Sequence, residues 1–201
     1  MKKYGESINV MSNGTKVVVI GGSAGSIHVL IEVLPYLNPD SLSSIVIVLH
    51  RKAHPESTLS MLLNAYSKVP VLEVVDKMPL EKGKIYLAPA DYHLLFEKDG
   101  SMSLDVSEKV NFSRPSIDVA FYAAAQVFEE NTIGILLSGA NSDGVEGLAH
   151  IAQYGGTICV QDPSTAEVDF MPRQALNKLK IEHVLAPKDI AHYINKLNDK
   201  L

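Results

Sequence analysis

Val17-Val18-Val19-Ile20-Gly21-Gly22-Ser23-Ala24-Gly25-Ser26, continued by Val29, Leu30, Val33 and Leu34 at helical spacing, is the stretch on which the fold turns. Residues 16–20 read as a strand buried on both faces, because four consecutive β-branched residues offer no polar side and stop abruptly at glycine. Glycines from Gly21 to Gly25 permit a sharp turn. The apolar recurrence from Ile27 to Leu34, ended by Pro35 and Pro39, then predicts a helix. A strand, a tight turn and a helix in that order form the building block of parallel sheets.

Outward from this unit the alternation continues. Residues 45–49 make a second continuous apolar run, ending at His50, and a helix is predicted from about residue 56 to 66. Shorter strands are predicted at 71–75 and 84–88. Residues 93–97 and 102–106 flank Asp99-Gly100, a strong hairpin signal. A helix over 115–129, with proline in its first turn, leads into a strand at 133–137. The turn Ser138-Gly139-Ala140-Asn141-Ser142-Asp143-Gly144 opens a helix to Gln153, and Gly155-Gly156 stops it. A strand at 157–160, a helix at 172–180, a strand at 183–185 and a closing helix from about 188 complete the pattern. The predicted architecture is a doubly wound α/β three-layer sandwich, mostly parallel, with an antiparallel edge hairpin.

The chain has 201 residues, 46% hydrophobic and 20% charged, which is enough for one substantial core. We expect a polar N-terminal segment over 1–15 and a single domain over 16–201. A net charge of -5 argues against nucleic acid as the partner, since counterion release needs clustered cations. The lone Cys159 sits in an apolar run and reads as a small buried hydrophobe, with no disulfide or thiolate metal cluster. The apolar stretch 17–20 is too short for a signal-peptide core or a membrane span, so a cytoplasmic location without membrane insertion is expected.

In doubly wound folds the site lies at the carboxyl ends of the strands. Three polar turns are predicted there, after Ile20, Leu49 and Leu137. The first satisfies Gly-x-Ser-x-Gly between strand and helix, which lifts the Ser23 hydroxyl clear of the sheet and aims amide N–H groups at an anion. A dinucleotide fingerprint starting at Gly21 would put Ser23 and Ser26 where glycines are needed, and there is no Walker lysine. A serine nucleophile needs a base, and His50 follows a central strand on the same edge; His93 is the second candidate. His50 and His54 have the spacing of a metal pair, but the intervening glutamate is missing and Pro55 follows, so no metal site is read. The imidazole needs an acceptor, and Asp143 lies in the third turn, where it would also serve as a helix N-cap. Asp118, Asp162 and Asp169 are less well placed by this topology. The order Ser, His, Asp differs from that of the α/β-hydrolases and of both familiar protease classes.

These residues are recognisable together. The chain resembles the catalytic domain of the chemotaxis protein-glutamate methylesterases, the CheB family, from Lys16 to about Ile194. Six landmarks carry the likeness in order: residues 20–25, the strand ending in His50, Tyr86 to His93, Arg114-Pro115-Ser116-Ile117-Asp118, Leu137 to Gly144, and Met171-Pro172-Arg173. The resemblance implies that Ser23, His50 and Asp143 match the family's triad. It implies hydrolysis of glutamyl methyl esters on cytoplasmic helices of chemoreceptors, with glutamine deamidation as a second activity, and no cofactor. Members commonly carry threonine after the nucleophile and methionine in the third turn, where this chain has Ala24 and Ala140. Backbone amides at those two positions are the expected oxyanion donors, while side-chain packing beside the serine would differ. Typical members also have an N-terminal receiver domain that fifteen residues cannot contain, which leaves a separate response-regulator or methyltransferase chain open as a partner. The residues themselves leave two other readings open: a non-catalytic receptor- or partner-binding module of the same fold, and a serine esterase acting on another protein.

Overall fold

A computed structural model describes residues 15–41, 43–52 and 58–198. In chain order these contain β1 (Val17–Gly22), α1 (Ser26–Val33), β2 (Ser44–Leu49), α2 (Leu59–Tyr66), β3 (Val71–Glu73), β4 (Met78–Pro79), β5 (Ile85–Leu87), β6 (His93–Phe96), β7 (Ser101–Asp105) and α3 (Ile117–Phe128). They continue with β8 (Thr132–Leu136), α4 (Val145–Gln153), β9 (Thr157–Gln161), α5 (Phe170–Lys178), β10 (His183–Leu185) and α6 (Pro187–Asn195). Residues 56 and 57, where the second helix is expected to start, and residues 1–14 of the N-terminal segment lie outside the described residues.

Seven strands form one sheet in the order β10-β9-β8-β1-β2-β5-β3, with all neighbours parallel. The strand read first, β1, takes the centre, and each of its residues is buried. Period-2 alternation divides its side chains between two apolar layers. Val17 and Val19, with Val46 and Val48, pack against α3, α4 and α5 through Phe121, Leu148 and Met171. Val18 and Ile20, with Ile45, Ile47 and Cys159, pack against α1 and α6 through Leu30, Val33, Ile190 and Ile194. Helices on both faces make the doubly wound sandwich.

The Asp99-Gly100 hairpin is antiparallel, and it belongs to a small sheet of its own, β4-β7-β6, beside the main one. The reason is its apolar face. Leu94, Phe96 and Met102 join the layer that contains α3, and the Phe96 ring meets Phe128 edge-on with centroids 5.3 Å apart. The helix predicted from 115 begins at Ile117, because Ser116 is its N-cap: extended at φ -98, ψ 136, it accepts from Val119 N. No helix among the described residues is long and apolar enough to cross a membrane.

Candidate active site

The chain leaves β1 toward β2 on one side and places β8 on the other, so a topological switch point falls at β1. Backbone hydrogen bonds extend the ladder one step past the strands. Leu137 N donates to Gly21 O at 2.8 Å, Ser23 N to Ser138 O at 2.9 Å and His50 N to Gly22 O at 3.1 Å. Since Gly22 pairs with Leu49, Ser23 and His50 occupy the next positions on adjacent strands. The three turns predicted to share an edge therefore do so.

A buried polar scaffold holds the Ser23 turn. Ser26 Oγ accepts from Ser23 N at 3.0 Å and donates to Ser138 O at 2.7 Å. Ser138 Oγ reaches back to Ala24 O at 2.7 Å, and Ser138 N is held by Gln161 Oε1 at 2.9 Å. Gly25 is left-handed at φ 81, and a Cβ there would lie 2.8 Å from Ser138 Oγ, so a sharp turn and close packing both require glycine. At Gly139 the demand is spatial: a Cβ would sit 2.0 Å from Met171 Sδ and 3.0 Å from Ser23 Cβ. Among the described residues, the amides of Ala24 and Ala140 donate no hydrogen bond, and both residues are exposed. They are N–H groups available to an anion beside the serine.

Asp143 is fully buried. Its Oδ2 accepts from His50 Nε2 at 2.6 Å and from Ile117 N at 2.7 Å; its Oδ1 accepts from Ser116 Oγ at 2.8 Å and Asp118 N at 3.1 Å. Burial by itself raises a carboxyl pKa, but these donors outweigh it and pull Asp143 down to about 2, His50 first among them. Two of the donors are the first free N–H groups of α3, so the helix dipole adds to the pull. With Nε2–H committed to Asp143, Nδ1 is the ring nitrogen left to act as a base, and it lies 3.4 Å from Asn141 Nδ2.

The expected N-cap role of Asp143 is realised on a different helix. The N-cap of α4 is Gly144, which has no side-chain cap, and Asp143 instead caps α3. Asp118, in the first turn of α3, caps α4 in return, its Oδ1 accepting from Gly144 N at 2.8 Å and Gly147 N at 2.7 Å. Two helices thus exchange carboxylates. Burial pushes Asp118 up to about 7; its backbone donors oppose this, and the neighbouring Asp143 charge adds to it.

Asp118 is therefore much closer to the site than the topology suggested. The signal was Ser116-Ile117-Asp118 at a helix start, but which other helix it would meet is not a local property. Asp162 caps a 3-10 turn through Ser164 N, and Asp169 pairs with Arg173 along α5. His93, the second base candidate, has both ring nitrogens engaged, Nε2 with Glu108 O at 3.0 Å and Nδ1 with Ser116 N at 3.2 Å. It props the residue that props Asp143. His54 lies outside the described residues.

Comparison with known proteins adds four findings. The family model described as CheB methylesterase matches residues 18–194. A Leptospira interrogans relative, whose name carries the activities protein-glutamate methylesterase and protein-glutamine glutaminase, is 42% identical over 181 residues, 90% of this chain and 94% of the relative. The Thermotoga maritima protein-glutamate methylesterase/protein-glutamine glutaminase is 34% identical over 173 residues, 85% of this chain and 50% of its own length. The crystal structure of the Thermotoga maritima CheB methylesterase catalytic domain superposes with a TM-score of 0.86 at 32% identity, covering 90% of this chain and 98% of that one.

Proposed function

Because the chain belongs to the CheB methylesterase family of carboxylic ester hydrolases, we propose that it removes methyl esters from glutamate side chains of chemoreceptor cytoplasmic helices in bacterial chemotaxis, with Ser23, His50 and Asp143 as the catalytic residues of one domain over 16–201. The observation that carries this reading is the buried Asp143 carboxylate holding His50 by Nε2 at the strand end next to Ser23. It supports proton transfer through His50 alone, with Ser23 as the attacking group and Asp143 as a fixed counter-charge.

His50 Nδ1 takes the Ser23 proton as the hydroxyl oxygen attacks the ester carbonyl. Asp143 stabilises the imidazolium that forms and keeps the proton on Nε2. The amides of Ala24 and Ala140 receive the developing oxyanion, each such donor being worth about 2.7–4 kcal/mol. His50 returns its proton to the departing methoxide, and methanol leaves a glutamyl ester on Ser23. Water, activated by the same nitrogen, then releases the glutamate. Deamidation of glutamine follows the same path with ammonia as the leaving group. Ala24 and Ala140 contribute backbone only, so the chemistry survives their departure from the usual threonine and methionine.

The test is methanol release from methyl-esterified receptor fragments. Ser23→Ala should cut it to a small residue, the part that the oxyanion donors and binding supply without a nucleophile, while the far-ultraviolet spectrum and melting temperature stay those of the parent. Substantial release by that variant would remove Ser23 from the mechanism.

A further inference from the structure

Asn141 stands against the base of the site, on the turn that encloses Ser23. In that turn Ser138 O accepts from Ser23 N at 2.9 Å, and a Cβ at Gly139 would lie 3.0 Å from Ser23 Cβ. Asn141 Oδ1 accepts from Asp143 N at 3.1 Å, the local bond that an asparagine makes to its own backbone two residues on. That bond orients the amide, because the oxygen must face the Asp143 N–H and the NH2 group must point elsewhere. It points at His50, with Nδ2 3.4 Å from Nδ1. Among the described residues Nδ2 has no other acceptor, and Ser23 Oγ makes no hydrogen bond. The base of the free site therefore faces Asn141 and not the nucleophile.

The contact reverses its character during turnover. While His50 is neutral, Nδ1 offers a lone pair to which the Asn141 N–H can donate. Once His50 has taken the Ser23 proton, Nδ1 carries a hydrogen of its own, and two donors face each other across 3.4 Å. A group seated against both must accept from both. The leaving group takes that place, since the His50 proton has to reach the departing atom. A methoxide oxygen suits it. As the C–O bond breaks, the bonding pair moves onto the oxygen, which takes the His50 proton and keeps lone pairs for the Asn141 N–H. The nitrogen that departs from a glutamine has one lone pair in the tetrahedral intermediate, and the His50 proton uses it. Its own two N–H bonds then point donors at a donor. Asn141 is half-buried, so water relieves this mismatch only in part.

We propose that Asn141 determines specificity for the leaving group: its NH2 group donates to the departing alkoxide oxygen, which turns the site toward ester hydrolysis and away from glutamine deamidation. Asn141 moves no proton. Methanol carries away the one that His50 took from Ser23, and Asn141 holds the oxygen while its charge develops. This assignment rests on the esterase reading of the site and deepens it, because it ranks the two activities of which one set of catalytic residues is chemically capable. The oxygen becomes a strong acceptor only as its bond breaks, so the donation favours the transition state over the bound ester. One hydrogen bond gained there changes the rate by about tenfold.

The experiment uses the full chain and one receptor fragment made in two forms, with γ-methyl glutamate or glutamine at the same position. Both forms leave the same glutamyl ester on Ser23, so the ratio of their kcat/KM values, read as methanol and ammonia release, isolates departure of the leaving group. A ratio taken on one preparation is also independent of the folded fraction. Asn141→Ser keeps an oxygen for the Asp143 N–H and removes the NH2 group that reaches His50. It should lower the ester-to-amide ratio about tenfold, with methanol release falling and ammonia release rising. Asn141→Ala removes the oxygen as well, so it should give the same ratio at a lower melting temperature. A ratio that Asn141→Ser leaves unchanged overturns the assignment, and so does a shift found only in Asn141→Ala, which would belong to the turn and not to the donor. In both cases methanol release by the parent leaves the esterase reading standing. A parent that releases neither methanol nor ammonia removes that reading, and the assignment falls with it.

Discussion

Replacing Asp143 with asparagine tests the site at its most constrained atom pair. The carboxylate accepts from His50 Nε2 and Ile117 N on Oδ2, and from Ser116 Oγ, Asp118 N and, at 3.5 Å, Asn111 Nδ2 on Oδ1. An amide has one oxygen, so its NH2 must face one of these two sets of donors. Facing the Ser116 side, the hydroxyl can rotate away, but Asp118 N–H is left opposite another donor. Facing the His50 side, Ile117 N–H is orphaned and His50 must move its proton to Nδ1, which removes the base. Either orientation leaves a backbone donor unsatisfied at a cost of about 1–3 kcal/mol. Losing the charge that strengthened the remaining bonds brings the total to roughly 2–5 kcal/mol. For a domain of this size that lowers Tm by roughly 4–20 °C. Turnover should fall by about 10³–10⁴, as expected when the tautomer and the counter-charge of a triad histidine are both disturbed. Thermal melts and methanol release on the same preparation separate the two effects, because activity is read well below the variant's Tm. A folded Asp143→Asn protein turning over within tenfold of the parent would refute the assignment of Asp143 as the group that holds His50.

Opposed pH windows are expected from the two exchanged carboxylates. Asp143, held at about 2 against an ordinary 3.8, contributes stability that is complete above about pH 4 and lost as pH falls toward 2. Asp118, pushed up to about 7, contributes in the opposite sense: its share is complete below about pH 4 and is lost as pH rises through 7. Melting temperatures of Asp118→Asn between pH 4 and 8 should therefore be flatter than the parent's, with the acid limb retained; a parallel curve would show that Asp118 does not titrate in that range. Gly139→Ala should displace Met171 and crowd Ser23, since the new Cβ would lie 2.0 Å from Met171 Sδ. We expect a stability loss of about 1–3 kcal/mol and a kcat loss larger than that predicts, both measured beside Gly139→Ala/Met171→Ala, which frees the space and should recover part of the turnover.

The core pattern was legible because it is periodic. Val17 to Ile20 and Ile45 to Leu49 are buried on both faces whatever they pack against, so their runs announce central parallel strands before any partner is known. Gly25 and the Gly-x-Ser-x-Gly spacing are equally local, since a left-handed turn at a strand end needs glycine wherever the strand lies. Register did the rest for Ser23 and His50: parallel pairing of β1 with β2 puts one strand end next to the other. The recognition of six landmarks in order then pointed to the family to which the chain belongs.

What only the tertiary structure decided are the polar contacts between elements far apart in the chain. Nothing near Asp143 indicates that its carboxylate caps α3 rather than α4, that Asp118 answers from 25 residues away, or that His93 supports Ser116. The hairpin's place was open for the same reason, because its alternation declares an apolar face without saying that α3 covers it. Phe112 reads in the sequence as one more hydrophobe and in the structure as an exposed ring on a left-handed turn. Burial patterns repeat along the chain at 2 or 3.6 residues, so local sequence carries them. A hydrogen bond or an exposed tip is set by where two packed elements meet, and that meeting has no period to read.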